Sequence, residues 1–209
     1  YNDWTRGDRY LFHSEAYEDG YVIFGEEQIV IDEVNDLVGG DDTGSFNTSP
    51  YVSCTKDGVC MVGLVGLFYG ADGDASNVSN NHTGIFRMSD DHGASWYGCD
   101  AGVEYGCAPS SDGYGYYFIP DETWDHLIAT QFSDGYYDEC TMTQSDTNDF
   151  WSYYEDDMKV DSEGNPHFLI QVLPCDDEFC YYEGNAGLYH FTANKDDLGA
   201  PDAWSWSYV

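Results

Sequence analysis

Positive charge is what this sequence has least of. Six Lys and Arg residues stand against 40 Asp and Glu, and the formal net charge is −34. A surface so poor in cations does not grip nucleic-acid phosphates, nor does it dock on anionic membranes. No long uninterrupted apolar run occurs, so no transmembrane helix is expected. No stretch sustains the i, i+3, i+4, i+7 apolar stripe of an amphipathic helix, and few helices are expected. Gly-rich phosphate loops, a Gly-x-Ser-x-Gly elbow, Cys-x-x-Cys-His and His-x-x-x-His spacings are all missing. The chain opens on Tyr1 with neither Met nor an apolar leader, which points to a removed signal peptide or a piece of a longer protein.

Aromatics and turn formers are abundant. There are 19 Tyr, 6 Trp and 23 Gly, and the hydrophobic fraction is 42%, too high for a disordered chain. Together they favour many short strands joined by tight turns. The acidity has two readings that are compatible. One is a solvated surface suited to high salt, where counterions screen self-repulsion. The other is calcium, a hard cation that takes oxygen ligands. Its best candidate is Asp72, Asp74 and Ser76, whose oxygens alternate as at the start of an EF-hand loop. The sixth position is Asn77 rather than Gly and the twelfth is Thr83 rather than Glu, so this is a generic calcium loop and no EF-hand.

Six of the seven cysteines form three close pairs across short loops: Cys54 with Cys60, Cys99 with Cys107, and Cys175 with Cys180. Local disulfide staples in a secreted, extracellular or cell-surface protein are the natural reading. Cys140 is left over. Zinc is the rival reading, but only Cys175 and Cys180 have suitable spacing. Asn47, Asn77 and Asn81 each begin an Asn-x-Ser/Thr sequon and are candidate glycosylation sites.

The strongest local signal is Ser89-Asp90-Asp91-His92-Gly93-Ala94-Ser95-Trp96, after the strand-like run Gly84–Met88. Ser89 and Asp91 suit local bonds to backbone N–H groups. Gly93 suits a positive φ, and Ser95 and Trp96 lead into the next strand. This stretch resembles the Asp-box of the sialidase-like (BNR) β-propellers, where the box joins the third and fourth strands of a blade. The resemblance implies an all-β fold of four-stranded antiparallel blades. Strand and turn signals recur: Gly58 matches Gly164 and Gly84 matches Gly187, each offset by about two blades of 40–50 residues. Candidate blades are therefore 1–49, 50–100, 101–156 and 157–209, in one domain. The middle one takes its strands from 115–119, 127–132 and 150–154. Four blades fall short of the six or more that such rings generally close, so a partial ring, a paired assembly or an unusually small ring is expected.

The resemblance is nearly silent on activity, because Asp-box propellers include enzymes, binders and structural modules. A sialidase-like glycoside hydrolase would use an arginine triad, a Tyr nucleophile supported by Glu, and an Asp acid/base. The only arginines are Arg6, Arg9 and Arg87, and none lies in a recognisable family motif. No catalytic residue is assigned. The favoured reading is a binding or assembly module whose partner is a glycan or a protein, including another copy of itself. Tyr-rich clusters at Tyr114, Tyr116 and Tyr117, at Tyr136 and Tyr137, and at Tyr181 and Tyr182 suit stacking on sugar faces.

Overall fold

A computed structural model describes residues 8–32, 49–66, 83–100, 105–108, 110, 112–131, 136–138, 143–145, 149–175, 187–200 and 202–209. It is mostly β, in antiparallel sheets, and among the described residues no sheet closes on itself. Strands β1 (Arg9–Glu18) and β2 (Tyr21–Ile31) form a hairpin. A five-stranded sheet has the order β3-β4-β5-β7-β6, from β3 (Tyr51–Cys54), β4 (Cys60–Gly66), β5 (Thr83–Ser89), β6 (Cys107–Ala108) and β7 (Tyr116–Phe118). Helix α1 (Asp121–Gln131) follows, then the small hairpin of β8 (Tyr136–Asp138) and β9 (Thr143–Ser145). The last sheet is a four-stranded meander of β10 (Asp149–Val160), β11 (Pro166–Cys175), β12 (Gly187–Ala193) and β13 (Trp204–Tyr208), in sequence order.

The apolar run of β4 is a strand buried on both faces, and strand alternation divides it. Met61 and Val65 face the four-stranded sheet, together with Phe86 and Met88 of β5. There they meet Met158, Phe168, Ile170, Val172, Tyr189 and Phe191, and helix α1 adds Trp124 and Leu127. On the opposite face Leu64 and Ile85 pack with Ile31 of β2, and Val62 and Trp96 pack with Val30 and Leu11. The five-stranded sheet is thus the middle layer between the hairpin and the four-stranded sheet. Each fully buried large side chain contributes roughly 1.5–3 kcal/mol of apolar transfer. Gly84 has a packing reason: a Cβ there would lie 2.6 Å from the Phe168 ring, so its absence is what lets the two sheets close. Tyr51 and Ser53 add polar ties, to the Asp156 carbonyl (2.7 Å) and the Val160 N–H (3.2 Å).

Four expectations are corrected. The stretch 127–132, read as a strand, is helical through Gln131. Pro120 precedes the helix, acidic Asp121 and Glu122 occupy its first turn, and Trp124, Leu127 and Ile128 form a short apolar stripe against the core. The stripe is one and a half turns long, and its Ile-Ala-Thr run resembles a strand. The other strands expected between 101 and 156 also part company. β7 joins the five-stranded sheet, and 150–154 belongs to β10 of the four-stranded one. In the first unit the fourth strand shrinks to one bridge, Met88 to Tyr97, and β7 pairs with β5 beyond it at Ile85 and Phe86. Near the start, 21–24 and 28–31 are one continuous strand.

Candidate functional site

The turn after β5 is held by its own side chains. Ser89 Oγ accepts the Gly93 N–H at 2.8 Å and donates to Asp91 Oδ1 at 2.8 Å. Asp91 in turn accepts the N–H and the hydroxyl of Ser95, at 2.9 and 2.7 Å. Gly93 has φ 81°. The bonds from Ser95 and Ser89 hold the Asp91 carboxyl down to about 2. Trp96 is buried beneath the turn. Neighbours occupy the flanks: the His92 N–H donates to the Gly58 carbonyl at 2.9 Å, and the His13 ring meets the Gly93 carbonyl. Every polar group of Ser89, Asp91 and Ser95 named here serves the turn, so this stretch acts as a joint between layers.

Arg87 is likewise committed. It is only 3% exposed, forms a two-pronged ion pair with Asp112 at 2.8 Å in each arm, and donates Nε to the Gly115 carbonyl at 2.9 Å. Its guanidinium lies 4.1 Å from the centroid of the Tyr116 ring. A guanidinium enclosed in this way clamps the loop before β7 onto β5 and presents nothing to a substrate carboxylate. Arg9 lies in β1, and Arg6 lies outside the described residues.

Among the described residues two disulfides are formed, Cys54–Cys60 between directly paired residues of β3 and β4, and Cys99–Cys107. Such bonds persist in oxidising compartments. Cys175 ends β11, whereas Cys180, Cys140, the calcium candidates Asp72, Asp74 and Ser76, and the sequons at Asn47, Asn77 and Asn81 lie outside the described residues. Among the described residues no three His, Cys, Asp or Glu side chains gather as a metal-ligand set. No helix there is long and apolar enough to cross a membrane. Of the Tyr clusters, Tyr116 is core, Tyr117 is half-buried against it and Tyr114 is exposed; Tyr181 and Tyr182 lie outside the described residues.

A concave feature with an aromatic lining lies elsewhere among the described residues. A cleft of about 480 Å³ separates α1 from the edge strand β13. Glu122, His126 and Thr130, four residues apart, line its helix side with Thr123. Asp202, Trp204, Ser205 and Trp206 line the strand side. Trp206 donates its indole N–H to His126 Nδ1 at 3.2 Å, and its ring meets Tyr189 edge-on. Trp204 is wedged against Phe86 and Phe168, each at 5.9 Å between centroids. Both indoles therefore pack against the core and are partly buried, with an edge left open to the cleft. Sequence reasoning saw Trp204 and Trp206 as strand residues and His126 as isolated. Recognising α1 as a helix would have set Glu122, His126 and Thr130 on one face.

A second polar arrangement lies on the face of the four-stranded sheet turned away from the core. His167 Nδ1 lies 2.8 Å from His190 Nε2, and His167 Nε2 lies 3.3 Å from Asp161 Oδ2. Burial raises the Asp161 carboxyl, but bonds from Asn165, His167 and the Glu163 N–H outweigh it and hold it well below the ordinary range. Asp161 is thereby an ionised acceptor that fixes the His167 proton on Nε2.

No family model, curated protein or solved structure matches this chain.

Proposed function

We propose that this chain is a secreted recognition module that binds glycans in the cleft between α1 and β13. The observation that carries the reading is the pair of core-braced indoles, Trp204 and Trp206, opening onto a groove lined by hydroxyls and carboxylates. Sugars present apolar C–H faces that stack on aromatic rings and hydroxyls that need acceptors and donors around the rim. Bracing lowers the ordering cost of binding. A glycan array followed by calorimetry tests it: selective binding that Trp206→Ala weakens at least about tenfold supports the reading, and a blank array sinks it.

Glu122 and Asp202 border the same groove, so a glycoside hydrolase is the second reading. Turnover of a fluorogenic glycoside panel, abolished by Glu122→Gln or Asp202→Asn, would put catalysis in place of binding.

The layered sheets also support a blade-like, propeller-type stack as the framework. Gly84 lies near the start of β5 and Gly187 starts β12, while Trp96 precedes the bridge at Tyr97 and Trp204 starts β13. The outermost hairpin leaves Tyr10, Phe12 and Ile29 about half exposed (48%, 51% and 44%), with Tyr10 and Ile29 paired across the strands. That apolar surface favours assembly with a further layer. Light scattering that shows a strictly monomeric chain, unchanged by Phe12→Ser, would remove assembly between copies from the reading.

A further inference from the structure

The charge around the α1–β13 cleft sets which glycans it accepts, and this inference rests on the glycan reading above. Two exposed carboxylates line the groove, Glu122 from the helix and Asp202 from the approach to β13. One residue beyond Thr123 and Trp124, Asp125 adds a third acidic group on the same helix; burial and the neighbouring Glu122 push its carboxyl up. Among the described residues the lining contains no Lys or Arg, and His126 accepts a hydrogen bond from the Trp206 indole N–H on Nδ1, so the neutral ring carries its own proton on Nε2. A sialic or uronic acid brought here meets two carboxylates and no Lys or Arg, in a molecule of net charge −34. A protonated amine meets the opposite.

We infer that the cleft is selective for saccharides that carry free amines, of the unacetylated glucosamine class, and rejects sialylated and uronic-acid sugars. Trp204 and Trp206 supply the stacking surface. Thr130 and Ser205 supply hydroxyls for the sugar's own hydroxyl groups. Glu122 and Asp202 supply the charge-assisted bonds to ammonium groups. Exposed ion pairs are individually weak, so charge ranks the sugars while the indoles supply the affinity.

The experiment compares three probes by calorimetry and Trp fluorescence at physiological ionic strength: a glucosamine trimer, its fully N-acetylated counterpart and sialyllactose. The glucosamine trimer is expected to bind roughly threefold to tenfold more tightly than the acetylated one, with sialyllactose weakest. Glu122→Gln with Asp202→Asn keeps hydrogen-bonding groups in place and removes the charge. It is expected to bring the two trimers to the same affinity, erasing the amine preference. Trp206→Ala is expected to weaken both trimers at least about tenfold, and Trp206→Phe, which keeps an aromatic face, to restore part of that loss. Amine-sugar binding that survives Trp206→Ala unchanged would be attraction to the acidic surface at large and would overturn the inference. So would sialyllactose binding as tightly as the acetylated trimer, or an amine preference untouched by the double variant. If none of the three probes binds, the glycan reading itself falls; if all bind with no ranking by charge, only the selectivity does.

Discussion

His167 and His190 meet edge to edge: their rings are parallel within 5° and their centroids lie 5.0 Å apart, almost the full span of two ring radii plus the 2.8 Å N···N contact. Rings stacked face to face would bring the centroids closer. The contact is an in-plane N–H···N hydrogen bond. Because Asp161 fixes the His167 proton on Nε2, His167 Nδ1 is the acceptor and His190 donates from Nε2. Burial and the neighbouring His167 depress the pKa of His190.

That geometry predicts tautomers. ¹⁵N-detected spectra are expected to show both rings carrying their proton on Nε2 at pH 8, with a downfield His190 proton that vanishes in His167→Gln. A depressed histidine leaves the unfolded state holding more protons, so its share of stability is intact above the ordinary histidine value. It is lost as pH falls through that value toward the depressed one. Melting curves from pH 8 to 5 are expected to show a fall in Tm that His190→Gln flattens; identical slopes would refute the assignment.

Asp91 produces a separate acid limb. Its carboxyl titrates at about 2 in the folded chain against an ordinary 3.8, so its contribution is full above the ordinary value and drains away as pH drops from there toward 2. Asp91→Asn, which cannot accept from the Ser95 N–H and hydroxyl together as a carboxylate does, is expected to lower Tm at pH 7. It should narrow the gap to the parent by pH 2. A gap that is constant with pH would show that the carboxylate charge is not what holds the turn.

Removing Arg87 is expected to damage stability rather than binding. Arg87→Met loses the paired bonds to Asp112, the bond to the Gly115 carbonyl and the contact with Tyr116. Breaking a fully buried pair costs about 3–5 kcal/mol, and Asp112, with nearly half its side chain exposed, recovers part of that in water, leaving about 2–3 kcal/mol. Urea unfolding measures it. Glycan affinity of the folded variant is expected to match the parent, and a selective loss of binding without loss of stability would place Arg87 in a site.

Gly84→Ala tests the closure between sheets. Its new methyl would sit 2.6 Å from Phe168 Cε1 and 2.8 Å from Cδ1, both on a ring with no exposure. Overpacking of this kind costs about 1–3 kcal/mol. Pairing it with Phe168→Leu, which frees space, is expected to recover part of the loss in a double-mutant cycle; strict additivity would mean the two residues do not compete for one volume.

The net charge of −34 makes stability depend on salt. Self-repulsion weakens as the screening length shrinks, so Tm is expected to rise between 10 mM and 1 M NaCl. Millimolar CaCl₂ at matched ionic strength is expected to add a further rise that chelator removes and Asp72→Asn with Asp74→Asn abolishes. Magnesium matching calcium in every variant would leave screening as the whole effect.

The sequence by itself determined the mostly β character, the turn at Ser89–Trp96, the Cys54–Cys60 and Cys99–Cys107 staples and the last three strands of the last sheet. Each of these is written in local chemistry: alternation of apolar residues, a hydroxyl and a carboxylate two positions apart, glycine where φ is positive, cysteines across a short turn. Only the tertiary structure decided what those elements meet. β7 pairs with β5 instead of founding a sheet of its own, because pairing partners depend on edges left open far away in the chain. Residues 121–131 became a helix because a stripe of three side chains found a core to bury in. The cleft needed that helix, since Glu122, His126 and Trp206 are brought together by packing across some eighty residues of chain, a separation that no local pattern encodes.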